Sequence, residues 1–194
     1  MARVVTFPEA ETPGILRAKV RQMQEEAWPP TGNGSHVGEG AVHDPALRPL
    51  SMLLVEDDEV LASLDVLFAR LVHAGVELSV AGLSTVVTPR VWQGRGYGRT
   101  LVTWAREAMP ALGVDLGLFT CDRPLGGFYA ACGWEILPGT VLVGGTPSEP
   151  FASDQPGFDK VTLGACFTPS GVAARESLLD ARVQLHCGDI DKLW

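Results

Sequence analysis

The stretch Thr88–Leu101, TPRVWQGRGYGRTL, decides the reading of this chain. An apolar run ends at Thr88, three glycines follow within five positions (Gly94, Gly96, Gly98), and an amphipathic segment starts at once. That is the order strand, glycine-rich turn, helix. Glycine lets the backbone take positive φ and approach a ligand closely. The first N–H groups of the helix lack partners within it and carry the positive end of its dipole. The turn is therefore an expected anion site, most naturally for phosphate.

Spacing separates the phosphate loops that compete here. A P-loop, G-x-x-x-x-G-K-[ST], fails because the fifth residue after Gly94 is Arg99 and the loop holds no lysine. The dinucleotide pattern G-x-G-x-x-G fails because Arg99 takes its last position. What remains is Gln93-x-x-Gly96-x-Gly98.

At 194 residues, 46% hydrophobic and 20% charged, the chain reads as one folded domain with a proper core. A net charge of −8 disfavours nucleic acid, which wants a basic patch. Cys121, Cys132, Cys166 and Cys187 are widely spaced, form no C-x-x-C, and read as small core residues of a reducing compartment. The N-terminus MARVVTFPEAETPG lacks the apolar core of a signal peptide, and no apolar run of about 18 residues is present. A cytoplasmic protein without membrane partners is expected.

Outward from the loop, Val4–Phe7 reads as a strand and Gly14–Trp28 as an amphipathic helix. Residues 31–49 form a long glycine-containing loop, functional or simply a surface excursion. Ser51–Glu56 is a strand. In Val60–Ala74 the residues Leu61, Leu64, Phe68 and Leu71 fit a helical stripe, but Leu67 and Val72 fill other faces. With Gly75 as a hairpin turn into Val76–Thr88, a strand is the reading, and Gly82 marks a bulge or bend. Helix Tyr97–Met109, strand Leu116–Cys121, short helix Arg123–Cys132 and strand Trp134–Leu137 follow. Residues 138–157 read as loop with at most a short strand at Thr140–Val143, Val161–Phe167 as the last strand, and about 168–194 as a polar tail. The class is mixed α/β, hairpins first and β-α-β later.

A second motif lies about 30 residues beyond the glycine turn: strand LGLFTCD, then Phe128-Tyr129-Ala130-Ala131-Cys132-Gly133-Trp134. Together, Gln93-x-x-Gly96-x-Gly98 and F-Y-x-x-x-G-W resemble the two motifs of the GNAT superfamily of N-acetyltransferases. The resemblance implies the GNAT fold: a mixed, mostly antiparallel central sheet with splayed strands, flanked by helices. It implies acetyl-CoA as cosubstrate. The run Ala62–Val66 through Arg70, Leu71, Gly75 and Gly82, with the ending HCGDIDKLW, is similar to the aminoglycoside 2′-N-acetyltransferases. The chain departs from that group in WPPTGNGSHVGEG (28–40), where the group has an acidic loop. It departs also at Ser84, aligned with a glutamate, and at Lys192, where aspartate is usual.

These resemblances assign roles. Gln93, Gly94, Arg95, Gly96, Tyr97, Gly98 and Arg99 would hold the pyrophosphate, mostly through backbone N–H groups. Val86, Val87 and Thr88 would pair with the pantetheine arm as an added strand. An N–H near Val87 would act as oxyanion donor, a group whose loss costs roughly 3–4 kcal/mol. Tyr129 would donate to the departing sulfur. With reference pKa values of about 10 and about 8.5, full proton transfer is uphill by roughly 2 kcal/mol, so a tightening hydrogen bond is the better description. For the base, Ser84 could hold a water, Asp122 is an alternative, and bulk water is a third. Trp194, Asp189 and Asp191 would hold a cationic, aminoglycoside-like amine. His186, Cys187, Asp189 and Asp191 make no convincing metal site. The expected activity is direct acetyl transfer to a small amine, with a homodimer as a candidate assembly. The alternative is an acyl-CoA-binding sensor or partner protein without catalysis.

Overall fold

The computed structural model describes residues 1–29 and 42–194. β1 (Arg3–Pro8), α1 (Gly14–Ala27), β2 (Leu50–Glu56), β3 (Glu59–His73) and β4 (Val76–Val87) come first. α2 (Tyr97–Ala108), β5 (Leu116–Asp122), α3 (Gly126–Ala130) and β6 (Glu135–Leu137) follow. β7 (Val141–Gly145), β8 (Pro150–Ala152), β9 (Lys160–Cys166), α4 (Pro169–Leu178) and β10 (Arg182–Gln184) come last. Seven strands form one sheet in the order β1-β2-β3-β4-β5-β9-β6, and β4–β5 is its parallel pair. This is the mixed, mostly antiparallel sheet that the sequence implied. Most of the 31–49 loop lies outside the described residues; its end, Pro45–Leu47, forms a 3-10 turn capped by the Asp44 side chain.

The ambiguous segment 60–74 is indeed a strand, the longest of the sheet. Its periodicity is hidden because both faces are covered. Met23 of α1 packs with Leu53, Val55 and Val60 on one face. Leu101, Val102 and Ala105 of α2 join Met52, Leu54, Leu64 and Val66 in the larger core. A strand buried on both sides reads as a continuous apolar run. The core stripe of α2 runs through Leu101, Val102 and Ala105, while Trp104 stays 39% exposed.

The sequence underestimated residues 138–194. A second sheet, β10-β7-β8, forms there. The expected polar tail begins with α4, capped by the Thr168 side chain accepting from Gly171 N–H, with a proline at the helix start. Threonine then proline is a helix-start signal, but the flanking glycines obscured it. After β10 the chain is pinned by its backbone. Leu185 and His186 N–H donate to Val143 C=O, Gly188 N–H to Gly145 C=O, and Gly145 N–H to Lys192 C=O. Leu185, Cys187 and Trp194 are buried.

β4 and β5 pair only at Val80–Leu116 and Ala81–Gly117, then part. The next residue of β4, Gly82, was expected to mark a bulge. It is paired regularly with Leu67. Its missing side chain serves Trp194: an added Cβ would lie 2.6 Å from the indole and 2.8 Å from Leu118 C=O. Trp194 thus fills the crotch where the strands separate. Its C=O accepts from Thr120 N–H and Thr120 Oγ1, both at 3.0 Å.

Gly82→Ala should therefore destabilise by about 1–3 kcal/mol, as overpacking does. It should lower the urea midpoint with an unchanged slope. Combining it with Trp194→Ala should cost less than the sum of the two, because the indole is one of the clashing partners. Strict additivity would mean that Trp194 does not occupy this place.

Candidate functional site

At the end of β4 the turn 88–96 leads into α2. Gly94 and Gly96 take φ of +75° and +86°, and Gly96 caps the helix with no side chain on its first N–H groups. Among the described residues, no N–H from Gly94 to Arg99 finds an acceptor. A row of unpaired N–H groups at a helix start is the physical requirement for holding phosphate oxygens. Gln93 braces the turn, its Nε2 donating to Thr88 C=O at 3.0 Å. Gly98 lets the helix close onto β4, since an added Cβ would sit 2.9 Å from Thr88 Oγ1. Arg95 stacks on Trp92 at 4.8 Å, and Arg99 is exposed. Tyr97 is half-buried and meets Trp92 edge-on.

Beyond the crotch, β4 and β5 flank a groove of ≈ 530 Å³. Leu83–Val86 line one side and Thr120–Asp122 the other; Tyr129, Phe151, Phe158, Ile190 and Trp194 complete the wall with Asp191 and Lys192. Val87 and Thr88 lie just past the lining, toward the glycine turn. The β4 edge facing this groove has no partner strand. The irregularity expected at Gly82 falls three residues later. Opposite Ser63 and Asp65 of β3 stand Val87 and Ser84, so β4 carries an extra residue. Thr85 takes φ of +48°, an unfavourable conformation for a β-branched residue. It is held there by Thr85 Oγ1 donating to Asp65 Oδ2 at 2.6 Å.

Asp65 is 4% exposed and belongs to a buried network that the sequence reading missed. It accepts from Ser51 Oγ at 2.5 Å as well as from Thr85. His43 stands beside it, Nε2 3.4 Å from Asp65 Oδ2 and outside hydrogen-bond geometry. His43 Nδ1 meets Asp191 Oδ1 at 2.6 Å, and Asp44 N–H donates to Asp191 Oδ2 at 2.8 Å. Glu9 accepts from Val42 N–H and His43 N–H. Burial alone would lower the imidazole pKa. The hydrogen bond to Asp191 and the nearby charges of Asp65 and Asp191 outweigh it and raise the pKa to about 10. A protonated His43 therefore joins the tail, through Asp191, to the strand that shapes the bulge. A signal existed: a lone Asp65 inside VLASLDVLF demands a buried partner.

Tyr129 projects into the groove from α3, gripped by Phe119 and Phe128 at ring distances of 5.0 Å. Its hydroxyl makes no hydrogen bond among the described residues. Burial pushes its pKa upward, so it remains a neutral donor. Cys121 also lines the groove; burial, then the charge of Asp122, raise its thiol to about 11. A thiol protonated at neutral pH is a poor nucleophile. Ser84 lines the groove half-buried. Asp122 lines it too, paired with Lys160 at 2.7 Å. Of the residues expected to hold the acceptor, Asp191 and Trp194 reach the groove, while Asp189 is exposed and outside its lining. Among the described residues no group of three or more His, Cys, Asp or Glu is placed to hold a metal. None of the described helices is long and apolar enough to cross a membrane.

With this geometry in hand, the chain can be set beside solved structures. It matches an acyl-CoA N-acyltransferase from Pseudomonas aeruginosa at TM-score 0.59 and 15% identity, over 86% of this chain and 100% of that one. It matches ElaA from Escherichia coli at 0.58 and 14%, over 84% and 99%. It matches YhbS, a GNAT family N-acetyltransferase from Escherichia coli in complex with CoA, at 0.57 and 17%, over 96% and 89%. The fold is thus the GNAT N-acetyltransferase fold. Neither a family model nor a curated protein sequence matches the chain.

The His43 network gives a pH signature. In the fold the imidazole keeps its proton up to about pH 10, against an ordinary value of 6.5. The stabilisation is full below the unfolded value and is lost as pH rises toward the folded one. Glu9, beside His43, has its carboxyl raised chiefly by burial. Urea unfolding at about pH 6 and about pH 9 should show wild type losing more stability than His43→Gln. Equal losses would mean that the imidazole carries no charge in the fold.

Proposed function

We propose that the protein transfers an acetyl group from acetyl-CoA to the primary amine of a small molecule, directly and within a ternary complex. One observation carries this reading: an uncapped glycine turn with open N–H groups from Gly94 to Arg99, beside two strands that part. The turn suits a pyrophosphate and the unpaired β4 edge suits the amide-bearing arm that follows it. Acetyl-CoA supplies an activated acyl carbon and a thiolate leaving group. The amine nitrogen forms a bond to that carbon, the C–S bond breaks, and its electron pair leaves with sulfur, which ends as a thiol. In this reading a backbone N–H near the bulge would stabilise charge on the acyl oxygen. Tyr129 donates a hydrogen bond that strengthens as the sulfur gains charge; its raised pKa makes complete proton transfer still less favourable. The raised pKa of Cys121 supports direct transfer over an acyl-cysteine route.

Ser84 positions a water at the groove, and the amine's proton leaves to solvent. Asp122 is less available to an incoming amine because Lys160 pairs with it at 2.7 Å. A cytoplasmic location fits the proposal. Of the groups that an aminoglycoside-like acceptor would use, Trp194 and Asp191 reach the groove, but Asp191 is already held by His43 and Asp44.

Acetyl-CoA at about 100 times its dissociation constant should stabilise the protein by about 2.7 kcal/mol. Gly96→Asp should abolish that shift, since it strains a residue at φ +86° and sets a carboxylate at the phosphate site. An unshifted wild-type melting curve would remove the assignment. Tyr129→Phe should lower kcat while leaving acetyl-CoA affinity unchanged. Loss of binding and stability together would reduce Tyr129 to a core residue.

A further inference from the structure

The groove's charges are already spent on one another. Two carboxylates line it, Asp122 and Asp191. Asp122 is held by Lys160 at 2.7 Å, and Asp191 by His43 at 2.6 Å and by Asp44 N–H. Neither of these two side-chain carboxylates is left unpaired for a ligand ammonium. Two ammonium groups line the same groove, Lys160 and Lys192, and Lys192 makes no ion pair among the described residues. The aromatic faces are engaged as well. Lys160 lies 5.5 Å from the Phe158 ring and Lys192 6.0 Å from the Phe151 ring, the two rings meeting edge-on at 5.4 Å. Although the chain carries −8 overall, the described lining side chains are neutral by count, two carboxylates against two ammonium groups.

The rim is apolar. Trp28, Leu125, Phe158 and Ile190 line the groove and are 54%, 47%, 40% and 64% exposed. Isolated exposed apolar residues are ordinary, but a set of them around one cavity marks a binding surface. A polycation would set several ammonium groups against Lys160 and Lys192 and gain no unpaired side-chain carboxylate among the described lining residues.

From this we infer that the acceptor is a monoamine with an apolar, preferably aromatic body, and that polycations such as polyamines and aminoglycosides are selected against. The inference rests on the acetyl-transfer reading and deepens it. It also accounts for the missing base. Apolar walls and like charges both favour the neutral form of a bound amine. A single ammonium that enters the groove is therefore pressed to give its proton to water and to arrive as the free nucleophile. A polycation would remain charged elsewhere along its length.

The test uses 2-phenylethylamine and spermidine as probes on the full chain. Release of CoA thiol from acetyl-CoA gives kcat/KM, and calorimetry on the CoA-saturated and CoA-free protein gives affinity. 2-Phenylethylamine should be the better acceptor and the tighter ligand. Its kcat/KM should rise with pH as the amine is deprotonated. Phe158→Ala should raise its KM by about tenfold or more, the scale of a lost apolar contact, with acetyl-CoA affinity unchanged. Lys192→Glu should shift preference toward spermidine. A higher kcat/KM or tighter binding for spermidine on the wild type overturns the inference, and so does absence of measurable 2-phenylethylamine binding. Failure of acetyl-CoA to bind strikes instead at the acetyl-transfer reading, and amine binding to the CoA-free protein still decides this one.

Discussion

Two parallel strands that stop hydrogen-bonding after two residue pairs impose the main constraint on this fold. Backbone groups along the separated edges need partners, because buried N–H and C=O groups are seldom left alone. The protein answers differently at different depths. At the crotch it supplies Trp194, whose carbonyl takes both donors of Thr120 and whose ring needs the bare backbone of Gly82. Farther out it leaves the β4 edge open, beside the glycine turn. Filled at its base and empty at its mouth, the gap becomes a groove with a defined floor. The second sheet, β10-β7-β8, exists in this scheme to carry the tail to that floor.

The groove wall has a second dependence, which is electrostatic. Thr85 keeps an unfavourable backbone conformation because Asp65 holds its hydroxyl, and Asp65 is tolerable in the core because His43 is charged beside it. The same imidazolium takes Asp191 from the tail. Four segments distant in sequence therefore meet through one proton. Buried charge is costly unless paired and hydrogen-bonded, so removing any member leaves the others exposed to that cost. The arrangement favours a single tail position over alternatives, and it sets the shape of that groove wall.

What the sequence disclosed and what it hid divide along physical lines. Local chemistry was legible: the glycine spacing from Gly94 to Gly98, the helix after it, and Phe128–Trp134 with Tyr129 at the groove. The central hairpin was legible through Gly75, although the burial of both faces of β3 blurred its alternation. Non-local chemistry was not. Thr85 looked like any strand residue, and the role of Gly82 depended on an indole 112 residues further along the chain. His43 and Asp65 gain meaning only as a pair. Strands of three residues such as β8 and β10 have too few positions to show a period. The acidic tail suggested a cation site, and only the geometry showed that Asp191 is already engaged.

The seating of Trp194 against Gly82 and Thr120 has a consequence for biogenesis. During synthesis the helix-start cradle of α2 and the central hairpin emerge well before residue 194. Chains fold from the N-terminal side as they appear, so the nascent protein passes through a stage with the α2 glycine turn formed and an unfloored gap between β4 and β5. At that stage the bare edges of two strands are available to any extended segment nearby, including those of neighbouring nascent chains. Arrival of the indole ends this vulnerable interval and finishes the groove in one step. A chain lacking the indole would therefore keep those strand edges open to intermolecular pairing.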